Sequence, residues 1–298
     1  MLSFSQLGFI LIGIALPHVL RLLLRLCLRQ SVYEDDRDVL ALNTIAPPTR
    51  WFNLGWWEEG TTSFPEAAAE LCRRVASRAE ISKGSRVLEV GSGYGEGARL
   101  LQSEHPSLAS YFAVTAVRAH HAYAVRATRR LEQSAEFVHG DALVETNRFP
   151  AGSFDAVLAI DCAYHFDRDA WLRSAHRALG DGGRLALTDL LLPNRPLELV
   201  EHLALRFVCY MAGLPFRNLV REAEYRSTLE SQGWRDIQLD DISSSVYPGF
   251  LHFMEQQGRE VGHALSAWSG LATYASVVRW YSGAERPRLR FYLISAKR

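Results

Sequence analysis

The hydrophobic and polar positions along the chain fall into distinct regimes. Leu7 to Pro17 is an unbroken apolar run, and admitting Ser3, Ser5, Gln6 and His18 extends the segment from Leu2 to Leu20. A helix of that length reaches about 28 Å, close to the hydrocarbon thickness of a bilayer. Arg21, Arg25 and Arg29 follow at four-residue spacing among leucines, which sets three cations on one helical face. The charge comes after the apolar run and no small-residue cleavage step is present, so residues 1–30 predict a retained membrane anchor or interfacial helix. The positive-inside rule then places the bulk of the chain on the cytoplasmic side, with the endoplasmic reticulum as one candidate membrane. Pro17 and His18 leave spanning and in-plane seating both open. A buried amphipathic helix packed on the domain is the alternative.

Residues 31–65 form a mixed arm with the turn signal Ala46-Pro47-Pro48 and an aromatic cluster of Trp51, Phe52, Trp56 and Trp57. From about Pro65 the pattern becomes helical, with small and apolar residues at helical spacing over Ala67 to Ala76. Short apolar strands then alternate with helical stretches. Strands are predicted at Arg86 to Val90, Tyr111 to Val117, Glu136 to His139, Ala156 to Ile160 and Arg184 to Thr188, and helices at Gly95 to Leu101, His120 to Leu131 and Ala170 to Leu179. Such alternation implies a parallel sheet with helices on both faces, a doubly wound α/β fold. Two late strands, Ile237 to Ile242 and Leu289 to Ile294, bring the sheet to seven. Between them and the core lie an apolar helix from Glu198 to Met211 and an aromatic-rich stretch from about Tyr247 to Tyr281, read as lid helices over the carboxyl edge of the strands. The organisation predicted is therefore 1–30 anchor, 31–65 arm, 66–190 core, and 191–298 lid helices with the closing strands.

Composition narrows the function. The 298 residues carry 33 Lys+Arg against 33 Asp+Glu, with 48% hydrophobic and 22% charged residues, too apolar and balanced for a disordered chain. Zero net charge gives no global pull toward nucleic acid, and none is expected as a partner. Cys27, Cys72, Cys162 and Cys209 are far apart and form no metal-ligand or disulfide pattern, so no metal is expected.

The segment Val87-Leu88-Glu89-Val90-Gly91-Ser92-Gly93-Tyr94-Gly95-Glu96-Gly97 carries the chemistry. A buried strand runs into a loop with glycine at alternate positions and then into a helix, whose amino terminus presents unpaired N–H groups to a ligand. A dinucleotide fingerprint fails here, because Glu96 stands at the third glycine and no carboxylate occurs between His105 and Arg130.

The segment instead resembles motif I of the class I S-adenosylmethionine-dependent methyltransferases, matched by Glu89, Gly91, Gly93 and Gly95. Further matches follow in the family's order: Gly140-Asp141-Ala142, then Ser153 to Leu158 ending in Asp161-Cys162-Ala163-Tyr164-His165-Phe166, then Leu179 to Asp189 with Asp181 where the family usually has proline. Trp51-Phe52-Asn53-Leu54-Gly55-Trp56-Trp57 is similar to a segment ahead of the core in the small-molecule, type 11 subgroup acting on sterols, tocopherols, quinones and related compounds. The resemblance implies a Rossmann-like, mostly parallel seven-stranded sheet and S-adenosyl-L-methionine as cofactor. Its binding residues would be Glu89, Gly91, Ser92, Gly93, Tyr94, Gly95, Asp141, Ala142, Asp161 and Trp57. The usual acid after the second strand is missing from Ala113 to His120, and Thr115 or backbone groups are candidates to replace it.

Methyl transfer needs alignment and exclusion of water, and aromatic faces such as Tyr94, Trp56 and Trp57 suit a sulfonium. Where the acceptor carries a proton, the loop after the fourth strand is placed to supply a base, His165 first and Asp161 second. Glu201 and His202 lie on the lid. Anchor and apolar lid together suggest a lipophilic acceptor such as a sterol, quinone or terpenoid, and a membrane-associated enzyme. A catalytically silent, methyltransferase-like binding or scaffold protein is the competing reading.

Overall fold

Strand and helix alternate through the core because most of the apolar runs are too short for a helix and most of the longer stretches repeat their apolar residues at helical spacing. The structure is a computed structural model that describes residues 42–43, 49–128, 135–260, 271–283 and 285–298. The predicted helix within residues 1–30 lies outside the described residues. Among the described residues, no helix is long and apolar enough to cross a membrane.

The elements are α1 (Phe64–Arg78), β1 (Arg86–Val90), α2 (Glu96–Glu104), β2 (Ser110–Thr115), α3 (Arg118–Thr128), β3 (Glu136–His139), α4 (Ala142–Arg148), β4 (Phe154–Ala159), α5 (Arg168–Ala178) and β5 (Leu179–Leu191). They continue with α6 (Leu199–Ala212), α7 (Glu222–Ser231), β6 (Arg235–Asp241), α8 (Ser243–Glu260), α9 (Leu271–Ser282) and β7 (Arg290–Lys297). Sheet order is β3-β2-β1-β4-β5-β7-β6, with β7 antiparallel to both neighbours and the adjacent pairs from β3 through β5 parallel. Chain order reverses between β1 and β4, where Val90 lies beside Ala159. Ligands bind at such a switch point, beyond the carboxyl ends of the strands.

β5 runs well beyond the predicted Arg184 to Thr188. Its antiparallel pairing with β7 continues past the end of β4, through Leu190 opposite Phe291 and Leu191 opposite Arg290. Two helices absent from the sequence prediction also form. α4 is only seven residues long and starts on Asp141, whose Oδ1 accepts from the N–H groups of Leu143 and Val144. α7 is largely polar and buries only Tyr225 and Leu229, one turn apart.

One face of the sheet packs on α1, α2, α8 and the inner side of α6, the other on α5 and α7. α1 starts with Ser63 as cap and Pro65 in its first turn, and seats Phe64, Ala68, Leu71, Cys72 and Val75 in the first layer. The second layer holds a buried polar network. Arg168 lies 3.5 Å from Asp189, at 3% and 0% side-chain exposure, and donates to the Asn218 carbonyl at 2.5 Å. Tyr225 donates to Asp189 at 3.0 Å. The Asn218 amide in turn holds the carbonyls of Tyr164 and Phe166 at 2.9 and 2.8 Å, pinning the loop after β4 on both sides of His165. Removing one partner leaves a buried charge uncompensated. Arg168→Ala is therefore expected to lower the unfolding free energy by about 3–5 kcal/mol, measured by urea denaturation.

Candidate cofactor cleft and active site

The turn after β1 is shaped by how closely two chain segments meet. Gly91 has φ +72°, and a methyl group there would come within 2.3 Å of Cys162 Sγ, so the loop after β4 closes on bare main chain. Cys162 completes that contact by donating to the Val90 carbonyl at 3.3 Å. Gly93, at φ +53°, faces open space with no heavy atom within 4 Å of a would-be side chain. Ser92 ties the loop sideways, its N–H and Oγ both reaching the Val114 carbonyl at 3.0 and 3.2 Å. Gly95 is the cap residue of α2, whose first N–H groups open toward the same space.

The cleft bounded by this loop has an open volume of about 380 Å³ and is walled by the loop, Glu89, Glu96, Ile160 and the arm residues Arg50 to Asn53. The arm is stitched over it from both sides. Arg50 N–H donates to Glu96 Oε1 at 3.0 Å, and Leu54 N–H donates to Asp161 Oδ2 at 2.8 Å. Asn43 brackets Trp51, donating to its carbonyl and accepting from its N–H at 3.0 and 3.1 Å. The Arg50 guanidinium stands 4.2 Å from the Tyr123 ring centre and 5.2 Å from that of Tyr94.

Asp161 sits at φ +55°, a conformation rare for a residue with a side chain, and hydrogen bonds to all of its polar atoms hold it there, the Tyr164 hydroxyl reaching its carbonyl at 2.9 Å. Its N–H donates to Thr188 Oγ1 at 2.7 Å, while its carboxylate accepts from Leu54 and, at 2.7 Å, from the Tyr164 hydroxyl. Loss of water pushes its pKa up to about 6 against those two donors. Glu89 is 3% exposed and accepts from Tyr111 at 2.9 Å, and burial raises its pKa to about 7. Burial also raises Glu96, opposed by Arg99 at 3.1 Å and by the Arg50 N–H. Two buried acids beside an anion-binding helix end suit a ligand that carries both cationic groups and a carboxylate. S-adenosylmethionine has that charge pattern, and the residues present fit it.

The predicted residues divide. Glu89, Gly91, Ser92, Gly93 and Tyr94 line the cleft, and Gly95 ends the loop. Asp141 and Ala142 start α4 outside the lining, Asp141 exposed and Ala142 buried. Asp161 holds the arm. Trp57 is not at the cleft: it packs on α8, its ring 5.5 Å from Phe253, its Nε1 donating to the Leu54 carbonyl at 2.8 Å, and its Cβ within 2.2 Å of where a methyl at Gly249 would stand. Trp56 faces Arg74 instead, at 4.8 Å. Thr115 is buried and is not among the lining residues. His165 ends a short 3₁₀ turn, Ala163–His165, apart from the cleft and hydrogen-bonded to the Gly213 backbone at the end of α6. The resemblance puts the segment Trp51 to Trp57 over the cofactor, and its first three residues, Trp51, Phe52 and Asn53, line the cleft; Arg50 and Glu96 are the cleft residues that the sequence reading missed. Glu96 drew notice only as a departure from another motif, although a carboxylate in the first turn after a glycine loop was a usable signal.

Comparison with known proteins agrees with this geometry. Residues 88–187 match the family described as a methyltransferase domain. The chain belongs to the class I S-adenosylmethionine-dependent methyltransferases, and its cofactor is S-adenosylmethionine. It is 34% identical over 209 residues to the phthiotriol/phenolphthiotriol dimycocerosates methyltransferase 1 of Mycobacterium ulcerans, covering 66% of this chain and 67% of that one. Similarity to the 27-O-demethylrifamycin SV methyltransferase of Amycolatopsis mediterranei is 26% over 82% of this chain and 88% of that one. Among solved structures, the cyclopropane synthase MmaA2 of Mycobacterium tuberculosis shares the fold with a TM-score of 0.70 at 14% identity, over 90% and 96% of the two chains.

Glu89 is half-ionised near pH 7 in the free cleft, and a cationic ligand favours its ionised form. Cofactor affinity should therefore strengthen as pH rises from about 6 to 8. Glu89→Gln should flatten that dependence and weaken binding by roughly tenfold or more. Titration calorimetry over the pH series checks both outcomes.

Proposed function

We propose that this chain methylates a small lipophilic acceptor at a membrane surface, with the catalytic domain on the cytoplasmic side. The observation that carries the chemistry is the glycine loop lying at the sheet's switch point beside buried Glu89 and roofed by the arm. When bound, the cofactor supplies an electrophilic methyl group. Trp51 and Phe52 then exclude water, and the clamps at Glu96 and Asp161 keep the arm closed. The acceptor class is supported by relatives whose names describe methylation of a rifamycin and of phthiotriol dimycocerosates. Membrane association rests on the sequence of residues 1–30.

His165 is the proposed base for an acceptor that must lose a proton. Burial pushes its pKa down to about 4, so the ring is neutral and able to accept at neutral pH. Asp161, with both carboxylate oxygens engaged, is the positioning residue that holds the arm and Tyr164. The pH–rate profile separates the two roles: a base limb near 4 belongs to His165, and one near 6 to Asp161. His165→Ala is expected to cut kcat by about 100-fold or more and leave the cofactor Kd unchanged. Substrate class is tested by incubating detergent-solubilised full-length chain with methyl-labelled cofactor and a lipid extract. Label in an organic-soluble product is expected, and label confined to water-soluble products would overturn the acceptor class.

A further inference from the structure

α6 buries one side and exposes a row of apolar residues on the opposite one. Glu201, Leu205 and Cys209 point inward, at 6%, 0% and 1% exposure. Leu199, Val200, Leu203, Phe207 and Tyr210 point outward, at 57% to 75% exposure. At about 100° per residue the two stripes are centred roughly 170° apart, so the outer one serves neither the core nor the cleft. These are five of the eight exposed large hydrophobic residues among those described, so the exposure is concentrated on one helix. Scattered exposed apolar residues are ordinary, whereas a contiguous ridge marks a surface that meets something.

Charge decides what that is. Within Leu199–Ala212 the one carboxylate, Glu201, is buried and held by Arg195 at 2.7 Å and Arg288 at 3.3 Å. The exposed charge on the helix is Arg206, at the edge of the ridge and 5.3 Å from the Phe216 ring centre. Two copies pairing ridge to ridge would bring two cations together with no carboxylate on that face to meet them. Phospholipid phosphates supply the missing counter-charge, and an exposed ridge of Leu, Val, Phe and Tyr with an arginine at its margin suits the boundary between headgroups and acyl chains.

We infer that the outer face of α6 docks on a phospholipid bilayer that contains anionic headgroups. This deepens the membrane reading above and rests on it, adding a second contact beyond residues 1–30. Docking would hold the end of α6, and with it the Gly213–His165 hydrogen bond, at the boundary from which a lipophilic acceptor arrives.

The test uses full-length chain and vesicles of phosphatidylcholine with phosphatidylglycerol. Flotation reports whether the chain binds the bilayer at all, and hydrogen–deuterium exchange over residues 199–212 reports the ridge. The expected result is flotation together with slowed exchange across α6, the slowing being lost in Leu203→Ser/Phe207→Ser. Both substituted side chains are exposed, and an unchanged unfolding transition confirms that the double variant is folded. Flotation with unaltered exchange across α6 would overturn the docking face while leaving the membrane reading intact. No flotation would remove both. Slowing that persists in the double variant would overturn the docking face, as would slowing that appears without vesicles and grows with protein concentration, which would assign the face to a second copy.

Discussion

The arrangement of the site depends on one carboxylate held in a left-handed backbone conformation. Asp161 takes the Leu54 N–H on one oxygen and the Tyr164 hydroxyl on the other, while its own N–H is fixed by Thr188. Three segments distant in sequence therefore converge at its position: the arm, the loop after β4 and the middle of β5. Without that convergence the glycine loop would be an open shelf at the sheet edge, because its side-chain-free surface supplies no outer wall. The strain of φ +55° at a residue with a side chain is sustained because every polar atom it presents is engaged.

Electrostatics and sterics divide the labour around the cleft. Gly91 lets Cys162 approach the main chain, and Gly93 leaves main chain facing the ligand space. The charge that selects the ligand comes from Glu89 and Glu96, both nearly buried and both raised in pKa by that burial. An empty cleft therefore keeps Glu89 partly neutral, and an entering cation favours its ionised form. Such a site favours a cationic cofactor over a neutral nucleoside of similar shape, since only the former repays the desolvation of the two acids.

Much of this was legible in the sequence because parallel strands buried on both faces read as apolar runs, and because a glycine loop between strand and helix has a distinct spelling. The strand at Arg86–Val90, whose last four residues are buried, is legible by that logic, and so is the whole glycine loop. What was not legible lies in long-range contact. Arg50 meets Glu96 across 46 residues and Leu54 meets Asp161 across 107, and no local pattern announces either. Trp57 was assigned to the cofactor on the likeness of a segment, but beyond the turn at Gly55 its indole points to α8, leaving Trp51 and Phe52 at the cleft. α4 escaped because its seven residues are too few to show a period, and α7 because only two of its residues are buried. The full length of β5 is set by its antiparallel neighbour, which enters the sheet about a hundred residues later in the chain.

The hydrogen bond between the Gly213 backbone and His165 gives α6 a mechanical meaning. The helix ends at Gly213 beside the proposed proton acceptor, so a displacement of that end would bear directly on the hydrogen bond to the imidazole. Thermodynamic reciprocity sets the condition: if docking of the outer face of α6 changes how tightly an acceptor binds, the acceptor changes the docking by the same free energy. Product release and detachment from whatever α6 rests on would then be two faces of one equilibrium.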